Sequence, residues 1–328
     1  MKRITTLALS FLLAGHAFAA TLRPEDNARL ETLSHELNVP MPELSQAVAQ
    51  ADYRQAVLDA FTKTAESKPW YEYQALFLTD KRVTQGVDFW RAHAADLARA
   101  ERIYHVPASV IVAIIGVETF YGTNMGKHPI LDSLFTLAFY HPTRTPFFSK
   151  EFANFVKLGH AQGWDLKTRL GSYAGAMGMS QFMPSSYLSY AVDFDGDGHI
   201  DLFTNPADAI GSVAHYFQMN GWVKGDSIAV RGFGQALGLK YGFENRYPVK
   251  ALSAAGLRPT QSLGAHQEAS VLRLDVGTGF EYWYGLPNFY AITRYNRSVH
   301  YSMAVWQLGA AVKQAVSGDT GNIRVVKR

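Results

Sequence analysis

The stretch Val110-Ile111-Val112-Ala113-Ile114-Ile115-Gly116-Val117-Glu118-Thr119-Phe120-Tyr121-Gly122 carries one charged side chain, and Glu118 is also the only one between Arg102 and Lys127. Residues 110–117 have no polar side chain, and Pro107 stands where a first helical turn accepts proline. A helix that is apolar all round is a buried helix. Glu118 follows Ile111 by seven positions and Ile114 by four, so it continues one stripe of that helix. A carboxylate on this stripe loses hydration, which raises its pKa and keeps it protonated closer to neutral pH, as a general acid for a glycosidic oxygen requires. Position also admits a plainer reading, in which the helix ends before Gly122 and Glu118 emerges into solvent. Both stay open at this point.

Outward from this helix the pattern is mostly helical. Residues 24–102 read as helices, with Leu30, Leu33, Leu37 and Val39 on one and residues 87–97 on another. Lys68-Pro69-Trp70-Tyr71-Glu72-Tyr73 reads as an aromatic-rich loop between them. Downstream, Asn205-Pro206-Ala207-Asp208 places cap, first-turn proline and acidic third residue in order, predicting a helix through Ile210, Val213 and Phe217. From 226 the period changes to two: Leu272, Leu274 and Val276 alternate with Arg273 and Asp275, and Phe280, Tyr282 and Tyr284 follow, predicting short antiparallel strands. Ala304, Val305, Leu308, Ala311 and Val312 return to helical spacing. The expected fold is mainly α with a small antiparallel β subdomain. The expected organisation is a helical domain at 20–102, which the helix at 301–316 is a candidate to complete. A core at 103–225, a β domain at 226–285 and a return to the core at 286–328 follow.

The chain has 328 residues, 31 Lys plus Arg against 28 Asp plus Glu, and no cysteine. That length exceeds what one hydrophobic core usually holds. Lys2-Arg3, the apolar run 4–14 and Ala17-Phe18-Ala19 predict a signal peptide over 1–19, whose run is too short to span a bilayer. Without it, 29 basic residues face 28 acidic ones, which removes the main support for nucleic acid as a partner. The absence of cysteine excludes disulfides, thiol catalysis, cysteine metal sites and a lipid anchor on cysteine. A soluble periplasmic protein without a membrane anchor is expected.

Two further segments carry chemistry. Asp193-Phe194-Asp195-Gly196-Asp197-Gly198-His199-Ile200 has carboxylates at loop positions 1, 3 and 5, glycine at 6 and isoleucine at 8, the start of an EF-hand-like cation loop over 193–208. Position 12 is Thr204 in place of glutamate, and Asp201 and Asp208 are the candidate replacements. Asp208 reads equally as a helix N-terminal carboxylate, and the two roles are compatible. The segment from Ser172 to Ser186, including Gly175-Ala176-Met177-Gly178 and Gln181, offers small residues and amide-binding groups; alone, it also reads as tight helix packing. Gly232, Gly234 and Gly238 lack the spacing and parallel βαβ setting of a dinucleotide fingerprint, and the histidines form no zinc-protease motif.

Together these segments closely resemble the lytic murein transglycosylase B family, with a lysozyme-like core. The resemblance runs from about Pro69 to Val316. It is carried by Val117-Glu118-Thr119, Gly175-Ala176-Met177-Gly178, Gln181-Phe182-Met183-Pro184-Ser185-Ser186-Tyr187, the Asp193 loop, Gly221-Trp222-Val223-Lys224-Gly225, and the segment Leu286-Pro287-Asn288-Phe289-Tyr290-Ala291-Ile292-Thr293-Arg294-Tyr295-Asn296. It implies cleavage of the β-1,4 bond from N-acetylmuramic acid to N-acetylglucosamine, ending in a 1,6-anhydromuramoyl product. Glu118 would be the single acid and base. Ser172 and Gln181 would lie beside the sugar, Tyr216, Tyr295, Asn296 and Tyr301 would line the site, and Arg144 would meet the acidic stem peptide. Thr143 stands where the pattern often has a second arginine. Asp193, Asp195, Asp197, His199 and Asp208 would hold a structural calcium. Glycan strands are the implied partner, with other cell-wall enzymes as candidates. The rival readings are a muramidase hydrolysing the same bond and a silent, calcium-stabilised peptidoglycan-binding protein.

Overall fold

The structure is a computed structural model that describes residues 22–61, 68–265 and 267–318. The predicted signal segment lies outside the described residues. The apolar stretch forms the helix Ala108–Thr119, in which residues 110–117 are all buried. Pro107 is its N-cap, one position before the first turn. Among the described residues four further helices pack against it: Asp80–Ala92, Ala94–Tyr104, Pro206–Met219 and Val299–Ser317. The last approaches most closely because Gly309 has no side chain. A Cβ there would stand 2.6 Å from the Ser109 carbonyl oxygen.

The N-terminal helix Pro24–Leu37 ends at Asn38 in the left-handed region, so Val39 falls beyond it. Asp26, buried, binds Arg23 and Arg29 at 2.7 and 3.1 Å, and Arg29 also reaches Ala138 O and Ser149 Oγ. This fastens the helix to Ile130–Tyr140 and Thr145–Gln162. Two expectations change here. Residues 70–73 are not a loop: Pro69 caps the helix Trp70–Phe77, whose Trp70 and Tyr73, three apart, bury the same face. Residues 87–97 are not one helix, because the backbone breaks at His93 between Asp80–Ala92 and Ala94–Tyr104.

Strands β1 (His128–Pro129) and β2 (Leu170–Gly171) form a two-residue ladder beside the Ile130 helix. The five-stranded sheet comprises β3 (Ala229–Phe233), β4 (Arg246–Pro248), β5 (Arg258–Pro259), β6 (Glu268–Asp275) and β7 (Phe280–Gly285), in the order β4-β6-β7-β3-β5, all antiparallel. Val230, Val271, Tyr282 and Tyr284 pack with Val249, Leu252 and Leu257 in a second, smaller core. Leu272 and Leu274 face the other way, into the main core. The sheet is therefore covered on both sides, which is why β6 has a run of four buried residues where alternation alone suggests one solvated face. Gly232 pairs with Tyr282 in this antiparallel ladder, which is no setting for a dinucleotide loop.

Candidate active site

Glu118 is the penultimate residue of the buried helix, and its side chain enters a cleft formed with the start of Val299–Ser317. The Tyr301 hydroxyl donates to Glu118 Oε1 at 2.5 Å. Burial pushes the Glu118 carboxyl up to about 7, against the opposing pull of that hydrogen bond. Glu118 is half-buried, short of full emergence into solvent, because the next turn folds back. Phe120 and Tyr121 both adopt positive φ, 52° and 60°, closing the helix end over itself. Tyr301 and Tyr295 are each raised well above the usual tyrosine range by burial and by the Glu118 charge, so both stay protonated donors.

The loop 172–183 forms the opposite wall. Thr119 Oγ1 contacts the Met179 carbonyl at 2.9 Å and accepts from Gly122 N at 3.0 Å, tying this loop to the helix end. Gln181 sits at φ 49°, and its amide nitrogen donates to Met125 O and Gly178 O at 3.1 and 3.0 Å. Among the described residues nothing donates to its amide oxygen. Ser172 Oγ accepts from Ala174 N and Ala176 N at 3.3 and 3.0 Å, and among the described residues its O–H has no acceptor. The packing behind is aromatic: Phe182, Tyr216 and Tyr295 meet with ring centroids 4.8–5.9 Å apart. The Tyr295 hydroxyl donates to Ser180 O at 2.5 Å and that of Tyr216 to Arg294 O at 2.6 Å. Both residues therefore hold backbone in place at the rear of the cleft. Asn296 follows at the end of the helix Pro287–Tyr295.

Arg144 stands apart from this group. It is exposed, and its guanidinium lies over Phe147 and Phe148 at 4.9 and 5.1 Å. An aromatic path connects it to the loop, because Phe61 touches Phe148 at 5.7 Å and Tyr173 at 5.1 Å. Three contributors escaped the sequence reading. Tyr73 acts electrostatically on Tyr301 and packs on His300 at 5.4 Å. Arg82 donates to Gly116 O at 2.7 Å, and Thr119 bridges the two walls. The i, i+3 spacing of Trp70 and Tyr73 carried a signal for Tyr73, and the motif Val117-Glu118-Thr119 one for Thr119; Arg82 had none.

The 193–208 loop lies behind the 172–183 wall, joined to it by Met179 N donating to Leu202 O at 2.8 Å and to the following helix Pro184–Tyr190 by Tyr187 OH donating to Ile200 O at 2.7 Å. Asp193, Asp195 and Asp197 place one carboxylate oxygen each within 4.8 Å of one another, all exposed. Backbone N–H groups of Gly196 and Gly198 donate to Asp193 at 2.7 and 2.8 Å, and the positive φ of both glycines lets the chain turn this tightly. Such a set of hard oxygen donors suits a hard cation. Asp208 is fully buried, and its two oxygens accept from Phe194 N and Asp201 N, each at 2.7 Å. Asp201 turns to Phe203 N and Thr204 N at 2.7 and 3.0 Å instead of to the other carboxylates.

Residues 25–310 match the family model described as Transglycosylase SLT domain. The chain is 53% identical over 283 residues, 83% of its length and 78% of the relative's, to the membrane-bound lytic murein transglycosylase B of Escherichia coli strain K12. Structures of the Escherichia coli lytic transglycosylase SLT35, in complex with bulgecin A and with calcium, superpose with TM-scores of 0.83 and 0.82. Each is 50% identical over 90% of this chain and 94% of that one. SltB3 from Pseudomonas aeruginosa, in complex with NAG-NAM-pentapeptide, is 30% identical with a TM-score of 0.76, covering 88% of this chain and 79% of that one. The chain belongs to the SLT-domain transglycosylases, the family of the lytic murein transglycosylases, enzymes that cleave peptidoglycan without hydrolysis.

Proposed function

We propose that Glu118 is the single acid and base of this transglycosylase, acting on the β-1,4 bond between N-acetylmuramic acid and N-acetylglucosamine. The observation that carries the reading is the Glu118 carboxyl at the end of an otherwise apolar buried helix, held by the Tyr301 hydroxyl, raised by burial to about 7 and without a second carboxylate acting on it. As the neutral acid it gives its proton to the departing glycosidic oxygen. Positive charge then develops on the muramoyl ring, and the new carboxylate takes the proton of that ring's own C6 hydroxyl as the hydroxyl oxygen bonds to C1. The nucleophile is already part of the reacting sugar, so no second carboxylate is needed to place a water. Tyr301 holds the carboxyl in position through both stages. Ser172 and the Gln181 amide oxygen would serve as partners for acetamido and hydroxyl groups, with Asn296, the residue after Tyr295, as a further amide.

Arg144, exposed and lying over Phe147 and Phe148, suits the acidic stem peptide through the Phe61–Tyr173 path. Asp193, Asp195 and Asp197, with the His199 carbonyl and Asp208 behind them, are the residues that would hold calcium; the ion would supply positive charge that stiffens the loop. The signal-like N-terminus and the lack of cysteine support a soluble periplasmic protein acting on glycan strands, with other cell-wall enzymes as candidate partners. Digestion of purified sacculi tests the reaction by mass. Anhydro ends, one water lighter than hydrolytic ends, are expected. Reducing muramic acid ends would instead establish a muramidase, and intact sacculi a binding protein.

A further inference from the structure

Arg82 is a largely buried cation that the chemistry above does not use. Burial lowers its pKa, and among the described residues no carboxylate pairs with it. Its guanidinium lies between the rings of Phe77 and Phe120, at 5.0 and 4.7 Å from their centroids. Nη1 donates to Gly116 O at 2.7 Å and Nη2 to Leu76 O at 3.4 Å. These carbonyls sit in the last turns of two helices, Ala108–Thr119 and Trp70–Phe77. Such turns carry unsatisfied carbonyls and the negative end of the helix dipole, where a cation is favoured. The first helix carries Glu118; the second carries Tyr73, which acts on Tyr301.

The contact is reciprocal. The Tyr121 hydroxyl donates to the Arg82 carbonyl at 2.9 Å. The Tyr121 ring fills a slot between Gly86 and Gly116, where an added Cβ would come within 2.5 and 2.6 Å of it. The turn that follows Glu118 is thus held to the Asp80–Ala92 helix from two directions. We propose that Arg82 is a positioning residue for the acid–base step: by joining the C-terminal carbonyls of the Ala108–Thr119 and Trp70–Phe77 helices on one guanidinium, it sets where the Glu118 carboxyl stands relative to the glycosidic oxygen. This rests on Glu118 having the role proposed above.

A misplacement of about 1 Å can lower turnover by about 10²-fold. Arg82→Met keeps an unbranched side chain that can still pack against the Phe77 and Phe120 rings and removes both hydrogen bonds. On glycan strands, well below its melting temperature, this variant should lose roughly 10- to 100-fold in kcat while KM stays within about twofold. Arg82→Lys, which can reach one carbonyl but not both, should recover part of kcat. Lys81→Met removes a neighbouring cation that lies 5.6 Å from the Phe120 ring and should turn over like wild type. Wild-type kcat in Arg82→Met, whatever its melting temperature, overturns the proposal. So does a raised KM at unchanged kcat, which would mean that Arg82 touches substrate. If Arg82→Met fails to fold, Arg82→Lys decides: reduced kcat at near wild-type melting temperature supports the role, and full kcat ends it. Glu118→Gln is assayed alongside. Activity in that variant removes the premise, whereas an inactive Glu118→Gln beside a fully active Arg82→Met refutes the Arg82 role alone.

Discussion

Replacing Glu118 by glutamine should stabilise the protein at high pH and leave its stability nearly unchanged at low pH. The carboxyl stands at about 7 in the folded protein against 4.5 for an unperturbed glutamate. A raised native pKa means that the folded state binds the proton more tightly. The stabilisation from protonated Glu118 is therefore fully present below the unfolded pKa and is lost as pH rises through the native one. The gap corresponds to about 3 kcal/mol of penalty for an ionised Glu118 once pH exceeds about 8. Glutamine has nearly the same shape, its amide oxygen can still accept from Tyr301, and it never ionises. Glu118→Gln should thus melt roughly 5 °C above wild type near pH 8, with the difference closing as pH falls toward about 4.5. Melting temperatures of both proteins across that range are the assay, with denaturant midpoints as a second measure. A difference independent of pH, or a glutamine variant less stable above pH 7, would show that Glu118 is held ionised by a positive or hydrogen-bonding partner, and would refute the desolvation argument.

Glu118→Gln should also abolish product formation, since each lost proton transfer is worth roughly 10²–10⁴-fold; sacculus digestion with purified, folded variant checks it. Tyr301→Phe removes the hydrogen bond that favours the carboxylate, so the pH–rate profile governed by Glu118 should move upward, with kcat reduced at neutral pH. Asp195→Ala with Asp197→Ala should remove the rise in melting temperature that calcium produces in wild type while leaving activity at low temperature; an unchanged calcium response would discard the cation loop. Gly116→Ala must push against the Tyr121 ring, and about 1–3 kcal/mol of destabilisation is expected from denaturant midpoints.

The amino-acid sequence by itself determined the buried helix, the β hairpin and the acidic loop, because each rests on short-range regularity. An unbroken apolar run, a period of two, and carboxylates on alternate residues beside glycine are readable without knowing what lies across the chain. The family motifs likewise pointed to Glu118, Gln181 and the Asp193 loop. Glu118 itself was ambiguous in sequence, because a helix end is wet or dry according to what covers it. Tyr301 covers it, from 183 positions away. The same holds for Tyr295 and Tyr216, whose hydroxyls the fold commits to carbonyls of distant segments. Trp70 and Tyr73 looked like loop residues because aromatic clusters beside a proline resemble a turn, until burial against His300 gives them a helical face. Arg82 left no local mark at all. Its partners are two backbone carbonyls, which no side-chain pattern records, and only the tertiary structure brings them together.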